Sequence, residues 1–133
     1  MIACCQEIDI SFSGTDEYLM QNLGMYLEGT WSVGGISNGA DYYTFQDYLA
    51  IWYYQTTTIP HWILGPLEGL GGAEQYYMRA DGLNKNFFGK CPNKHGQITW
   101  SWRYISAEGT LVPTNDILIK CASEDDLCTL LCH

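Results

Sequence analysis

Hydrophobic and polar positions alternate along much of this chain with the period of a β-strand rather than a helix. In "EIDISFSG", Ile8, Ile10 and Phe12 fall on one side and Asp9 and Ser11 on the other. "QITWSWRYI" repeats the pattern, setting Ile98, Trp100, Trp102 and Tyr104 against Thr99, Ser101 and Arg103. "MYLEGTWSV", "DYYTF", "YLAIWYYQ", "HWILG" and "EQYYMRA" read as further strands, and "NDILIKC" as the last. Gly29 marks a bulge or a point of close approach. Asn38-Gly39 is the strongest short hairpin signal, because a type I′ turn needs positive φ at both central residues. Gln46-Asp47 is the turn that divides "DYYTF" from "YLAIWYYQ".

Two stretches break the period. "DEYLMQNLG" predicts a single helical turn ending at Gly24. In "SEDDLCTLLC", Ser123 is a natural N-cap and Glu124, Asp125 and Asp126 fill a first turn, where the helix dipole favours anions. That helix sets Cys128 and Cys132 on one face. A longer loop spans residues 81–96 and contains Cys91. The pattern predicts an all-β domain over residues 1–122, a small antiparallel sandwich or barrel of about eight short strands. A C-terminal helical tail over residues 123–133 packs on it or links to a neighbour.

Composition narrows the function. The chain has 133 residues, 15 acidic against 6 basic, and a formal net charge of −9. Nucleic acid and anionic membrane surfaces are thereby poor partners, since phosphate binding needs clustered Lys and Arg. No apolar run is long enough to span a bilayer as a helix. The start, "MIACCQEIDI", lacks the basic and long apolar segments of a secretion signal, so an extracellular chain is expected as a mature form or a module.

The cysteines are Cys4, Cys5, Cys91, Cys121, Cys128 and Cys132. An even count in a small, charge-poor chain reads as a disulfide-stabilised extracellular domain. One of Cys4 or Cys5, at the start of the first strand, is expected to bridge to Cys121 at the end of the last. The rival reading is zinc, with soft ligands in Cys91 and His95 and in Cys128, Cys132 and His133, but no Cys-x-x-Cys knuckle is present. No metal and no cofactor is therefore expected.

Aromatics make up 14% of the chain, with 10 Tyr and 5 Trp. Most serve a sheet core, where they pair across strands. Ten tyrosines are more than a core of this size hides with every hydroxyl satisfied, so some are expected on a surface able to stack sugar rings. The candidates are Tyr42, Tyr43, Tyr48, Tyr53, Tyr54 and Trp62. No Asn-x-Ser/Thr sequon occurs, and "QTTTIP" makes Thr56, Thr57 and Thr58 the candidate O-glycosylation sites. No catalytic residues are expected. The histidines His61, His95 and His133 adjoin no nucleophile elbow, the carboxylates are scattered, and "GLGG" at 69–72 lacks what a phosphate cradle needs.

The order of motifs resembles a short module, often repeated, in secreted and surface proteins of invertebrates and protists. The shared run is Cys5 and Gly14, Gly29 to Trp31, Asn38-Gly39 with Tyr43, Tyr53-Tyr54, Trp62 to Gly65, Cys91-Pro92, Trp100 to Trp102, and Asp116 to Cys121. Cys4 and the tail with Cys128 and Cys132 go beyond it. The resemblance implies an extracellular or cell-surface place and a structural, adhesive or ligand-display role, with no settled activity. Two functional expectations follow. One is a non-enzymatic structural module that joins copies of itself or sister modules, its first strand offering a free edge that templates a filament. The other is a glycan-binding module using exposed Tyr and Trp.

Overall fold

The chain's structure is a computed structural model that describes residues 6–14, 16–56, 59–82 and 100–122. Among these residues, nine strands make one antiparallel sheet: β1 (Glu7–Phe12), β2 (Gly29–Ser37), β3 (Ala40–Phe45), β4 (Leu49–Gln55), β5 (Pro60–Pro66), β6 (Met78–Gly82), β7 (Trp100–Ile105), β8 (Leu111–Thr114) and β9 (Ile117–Cys121). Their order is β8-β7-β6-β5-β4-β3-β2-β1-β9, a plain meander with β9 brought round to β1.

That order dictates a barrel. β8 pairs with β7 at one margin and β9 with β1 at the other, yet only Asn115 and Asp116 separate them in sequence. Such a link spans at most about 11 Å, so the two margins must meet. Counting antiparallel pairings round the sheet, β8 and β9 run in the same direction. Parallel strands side by side need a long crossover. They are instead two halves of one bent strand, the first bonded to β7 and the second to β1. The strand count of about eight is met in this sense, and of the two architectures the sequence permits, the nearly closed barrel is the one formed. Pro113 sits in β8, whose far side has no strand among the described residues, where its missing N–H is tolerated.

Side chains fill the barrel. Ile8, Ile10 and Phe12 point in, as their alternation predicts, and meet Trp31, Tyr43, Trp62 and Trp102 in one buried cluster. The helical stretch closes one rim. It runs from α1 (Glu17–Leu19) through a π-helical turn (Met20–Gly24) into α2 (Met25–Leu27), so it continues past the expected stop at Gly24. Gly24 is a packing glycine: a Cβ there would lie 3.3 Å from Phe12. Leu19 and Leu27 are buried in the core cluster, and Trp31 Nε1 donates to the Leu27 carbonyl at 3.0 Å. Because 25–27 are helical, the strand expected from Met25 begins at Gly29. Gly29 is a point of close approach, with Phe45 ring carbons 2.6 Å from where its Cβ would stand. The bulge falls later, between Val33 and Gly35.

Among the described residues, no helix is long and apolar enough to cross a membrane. The tail over 123–133, with its predicted helix, lies outside the described residues, as do Thr57, Thr58 and the cysteines other than Cys121. The strands bring residue 6, Gly82, Trp100 and Ala122 to the rim opposite the helix, so each cysteine-bearing segment departs from that rim. The first strand offers no free edge: β1 is paired with β2 on one side and β9 on the other, because β9 closes the barrel there.

Asp16 ties the helix to the wall. Its carboxylate caps the helix, accepting from Leu19 N–H at 3.1 Å, and also accepts the Tyr104 hydroxyl. Donation to Asp16, with burial second, pushes Tyr104 up to about 12. The same bond, with the Leu19 amide second, holds Asp16 below its ordinary value. An unfolded tyrosine ionises near 10, so the unfolded chain loses a proton that the folded chain keeps. Stability should therefore fall as pH rises from 10 to about 12. On the acid side, the Asp16 contribution should fade below 3.8. Tyr104→Phe removes a hydrogen bond to a charged group, worth about 1.5–3 kcal/mol. Urea midpoints should show that deficit near neutral pH and show it vanishing in strong alkali; a deficit independent of pH contradicts the pairing.

Candidate functional site

β4 and β5 are buried on both faces. Leu49, Ile51 and Tyr53 face the barrel, whereas Ala50, Trp52 and Ile63 form a second cluster on the outer wall. Residues 66–77 cover that wall. The segment begins with a 3-10 turn (Leu67–Gly69) and packs Leu67, Leu70 and Tyr76 onto Trp52 and Ile63. Trp52 Nε1 donates to the Gly72 carbonyl at 2.9 Å, and Asn38 Nδ2 donates to the Tyr53 carbonyl at 2.8 Å and the Gly71 carbonyl at 3.2 Å. Asn38-Gly39 does form the positive-φ hairpin that the sequence predicts, and its asparagine doubles as a clamp.

One end of this strap builds a groove. Asp47, Tyr48, Pro66, Leu67, Glu68 and Tyr77 line an open volume of about 560 Å³. Its parts are held by backbone bonds: Leu67 N–H to the Tyr48 carbonyl at 2.8 Å, Tyr77 N–H to Leu64 at 2.8 Å, and Ile105 N–H to Tyr77 at 3.1 Å. Gln46 and Asp47 both have positive φ, 59° and 65°. Side chains adopt that conformation at a cost of roughly 1–2 kcal/mol per residue. The result is a tight turn with Tyr48 at its end, 59% exposed, and Tyr77 is 40% exposed.

The aromatic candidates separate by position. Tyr43, Tyr53 and Trp62 are buried inside the barrel. Tyr42 and Tyr54 are half-buried against the outer cluster, and Tyr42 covers Gly34 and Gly35. Of the six, Tyr48 alone stands exposed. Tyr77 is not among the sequence candidates because "EQYYMRA" reads whole as a strand; β6 begins only at Met78, and 74–77 belong to the strap. Thr56 is exposed, its hydroxyl bonded to the Ile59 carbonyl at 3.1 Å and accepting the Ile59 amide at 3.0 Å.

A polar row crosses the outer wall beside the strap. His61 Nδ1 lies 2.6 Å from Asp81 Oδ1, and Arg79 Nε donates to the same oxygen at 3.1 Å. The Arg79 guanidinium lies 5.9 Å from the Tyr76 ring centre, and Tyr54 faces the His61 ring at 6.5 Å. His61 and Asp81 form an acid–base pair with no described nucleophile bonded to it. Among the described residues, no three of His, Cys, Asp and Glu gather as metal ligands. The zinc alternative on Cys91, His95, Cys128, Cys132 and His133 falls outside the described residues. Comparison of the chain with family models, with curated proteins and with solved structures gives no match.

Proposed function

We propose that this protein is a non-enzymatic, adhesive β-barrel module that binds carbohydrate in the groove between the Gln46–Tyr48 turn and the strap. The observation that carries the reading is the pairing of two exposed tyrosines, Tyr48 and Tyr77, with two carboxylates, Asp47 and Glu68, around one groove. A tyrosine ring offers an apolar face to sugar C–H groups and a wet hydroxyl at its edge. Ionised carboxylates are acceptors only, suited to pairs of sugar hydroxyls. Both tyrosines sit on backbone pinned by hydrogen bonds, so little ordering is needed on binding.

The barrel interior does not suit a ligand, because tryptophans and aliphatic side chains pack it. Self-assembly into filaments, the other expectation, loses its stated docking edge with β1 paired on both sides. Extracellular placement remains part of the proposal. It rests on the six cysteines, whose chain segments all depart from the rim away from the groove.

A glycan array tests the reading. Saturable binding is expected, and Tyr48→Ala and Tyr77→Ala should each weaken it by at least about 1 kcal/mol, roughly five-fold. Affinity for a neutral oligosaccharide should not change with salt, which separates it from capture of a basic peptide by the two carboxylates. An array with no saturable ligand, or binding that both variants retain in full, refutes the proposal.

A further inference from the structure

We propose a second site, an oxyanion-binding site on the outer wall between β6 and β7 formed by Arg79 and Arg103. The register sets these residues directly opposite one another. Their strand neighbours Met78, Ala80, Trp102 and Tyr104 are buried in the core, so both arginines point outward. They are the chain's only arginines, among just 6 basic residues in a protein of net charge −9. Like charges directly opposed across a ladder destabilise it unless something negative lies between them.

The negative charge present falls short. Asp81 is the only carboxylate paired with either arginine among the described residues, and its Oδ1 already serves His61 as well as Arg79 Nε. Arg103 makes no ion pair there, and its Nε is buried without a hydrogen-bond partner. Buried N–H groups in folded proteins are almost always bonded, to protein, water or an ion. A group with two or more oxygens, set between the guanidiniums, satisfies the orphan donor and removes the repulsion together. Arginine's planar fork is suited to that bidentate contact. The chemistry is that of sulfate, phosphate or carboxylate, as a free ion or as a substituent on a larger molecule. Tyr77, in the strap, precedes Arg79 by two residues in sequence. The inference nevertheless does not depend on the groove.

The test uses the full chain at constant ionic strength. Inorganic sulfate titrated by isothermal calorimetry should give a saturating binding curve in the wild type and in Lys120→Gln, whose charge lies on β9. The saturating part should disappear in Arg103→Gln and weaken several-fold in Arg103→Lys, which keeps the charge and loses the fork. Sulfate also stabilises proteins generally through exclusion from their surface, but that effect does not saturate and is shared by every variant. Should Arg103→Gln not fold, Arg79→Gln asks the same question from the opposite strand. A sulfated disaccharide that saturates at lower concentration than inorganic sulfate identifies a substituent as the occupant; equal concentrations identify the free ion. A wild-type curve without saturation, or equal curves for wild type, Arg103→Gln and Arg79→Gln, overturns the site. Groove binding of a neutral glycan survives that result, so the two proposals fail separately.

Discussion

Trp62→Ala is expected to cost about 3–5 kcal/mol of folding stability, the range for emptying a large aromatic from a packed core. Trp62 is fully buried on β5, where its strand partners are Tyr53 on β4 and Ala80 on β6. Its ring meets Tyr53 edge-on with centres 5.7 Å apart. Seven strands, β1 to β7, place buried side chains in the same cluster, so no one of them can collapse into the space alone. Trp52 provides the comparison from the opposite face. Trp52→Phe keeps most of the ring's bulk and loses the bond to Gly72, a change of about 1 kcal/mol. Urea unfolding followed by far-ultraviolet circular dichroism reads both. A Trp62→Ala loss no greater than that of Trp52→Phe contradicts the assignment of Trp62 to the interior.

Gly65→Val is expected to cost about 1–3 kcal/mol, the usual penalty of overpacking, and to abolish groove binding while the β spectrum persists. Gly65 lies beneath the strap. A Cβ on it would stand 2.7 Å from Tyr76 Cα and 2.8 Å from the Gln75 carbonyl oxygen. Both are backbone atoms, so the strap itself must lift. Pro66, Leu67, Glu68 and Tyr77 move with it, and they are most of the groove. The barrel wall, bonded strand to strand, has no such reason to move. Unfolding midpoints with a parallel glycan titration separate the two effects. Full binding in a destabilised Gly65→Val variant shows that the strap does not build the site.

The sequence is readable where one face of a strand is wet. β1 and β7 alternate because their outer faces carry Asp9, Ser11 and Arg103, and their inward residues are where alternation puts them. β4 and β5 hide both faces, so "LAIWYYQ" and "HWILG" show long buried runs with no polar side to read. Nothing local announces that residues 66–77 turn back across that wall. Gly24 reads as a helix stop because glycine usually ends helices, but here it lets Phe12 approach. β8 is short and contains Pro113, which the period does not register. The same limits govern the sites. Tyr48 could be named as a candidate from the aromatic run, but its exposure depends on the turn at Gln46 and Asp47. Tyr77 becomes a partner of Tyr48 only through the strap, and Arg79 meets Arg103 only through the register across residues 83–99.

The most direct measurement is an amide chemical-shift map of the full chain titrated with the strongest glycan ligand from the array. Binding in the groove predicts that the largest shifts cluster at residues 46–48, 67–68 and 77, with the rim that holds Asn38-Gly39 unaffected. Shifts centred on that opposite rim, or spread evenly over the barrel, would contradict a carbohydrate site at Tyr48 and Tyr77.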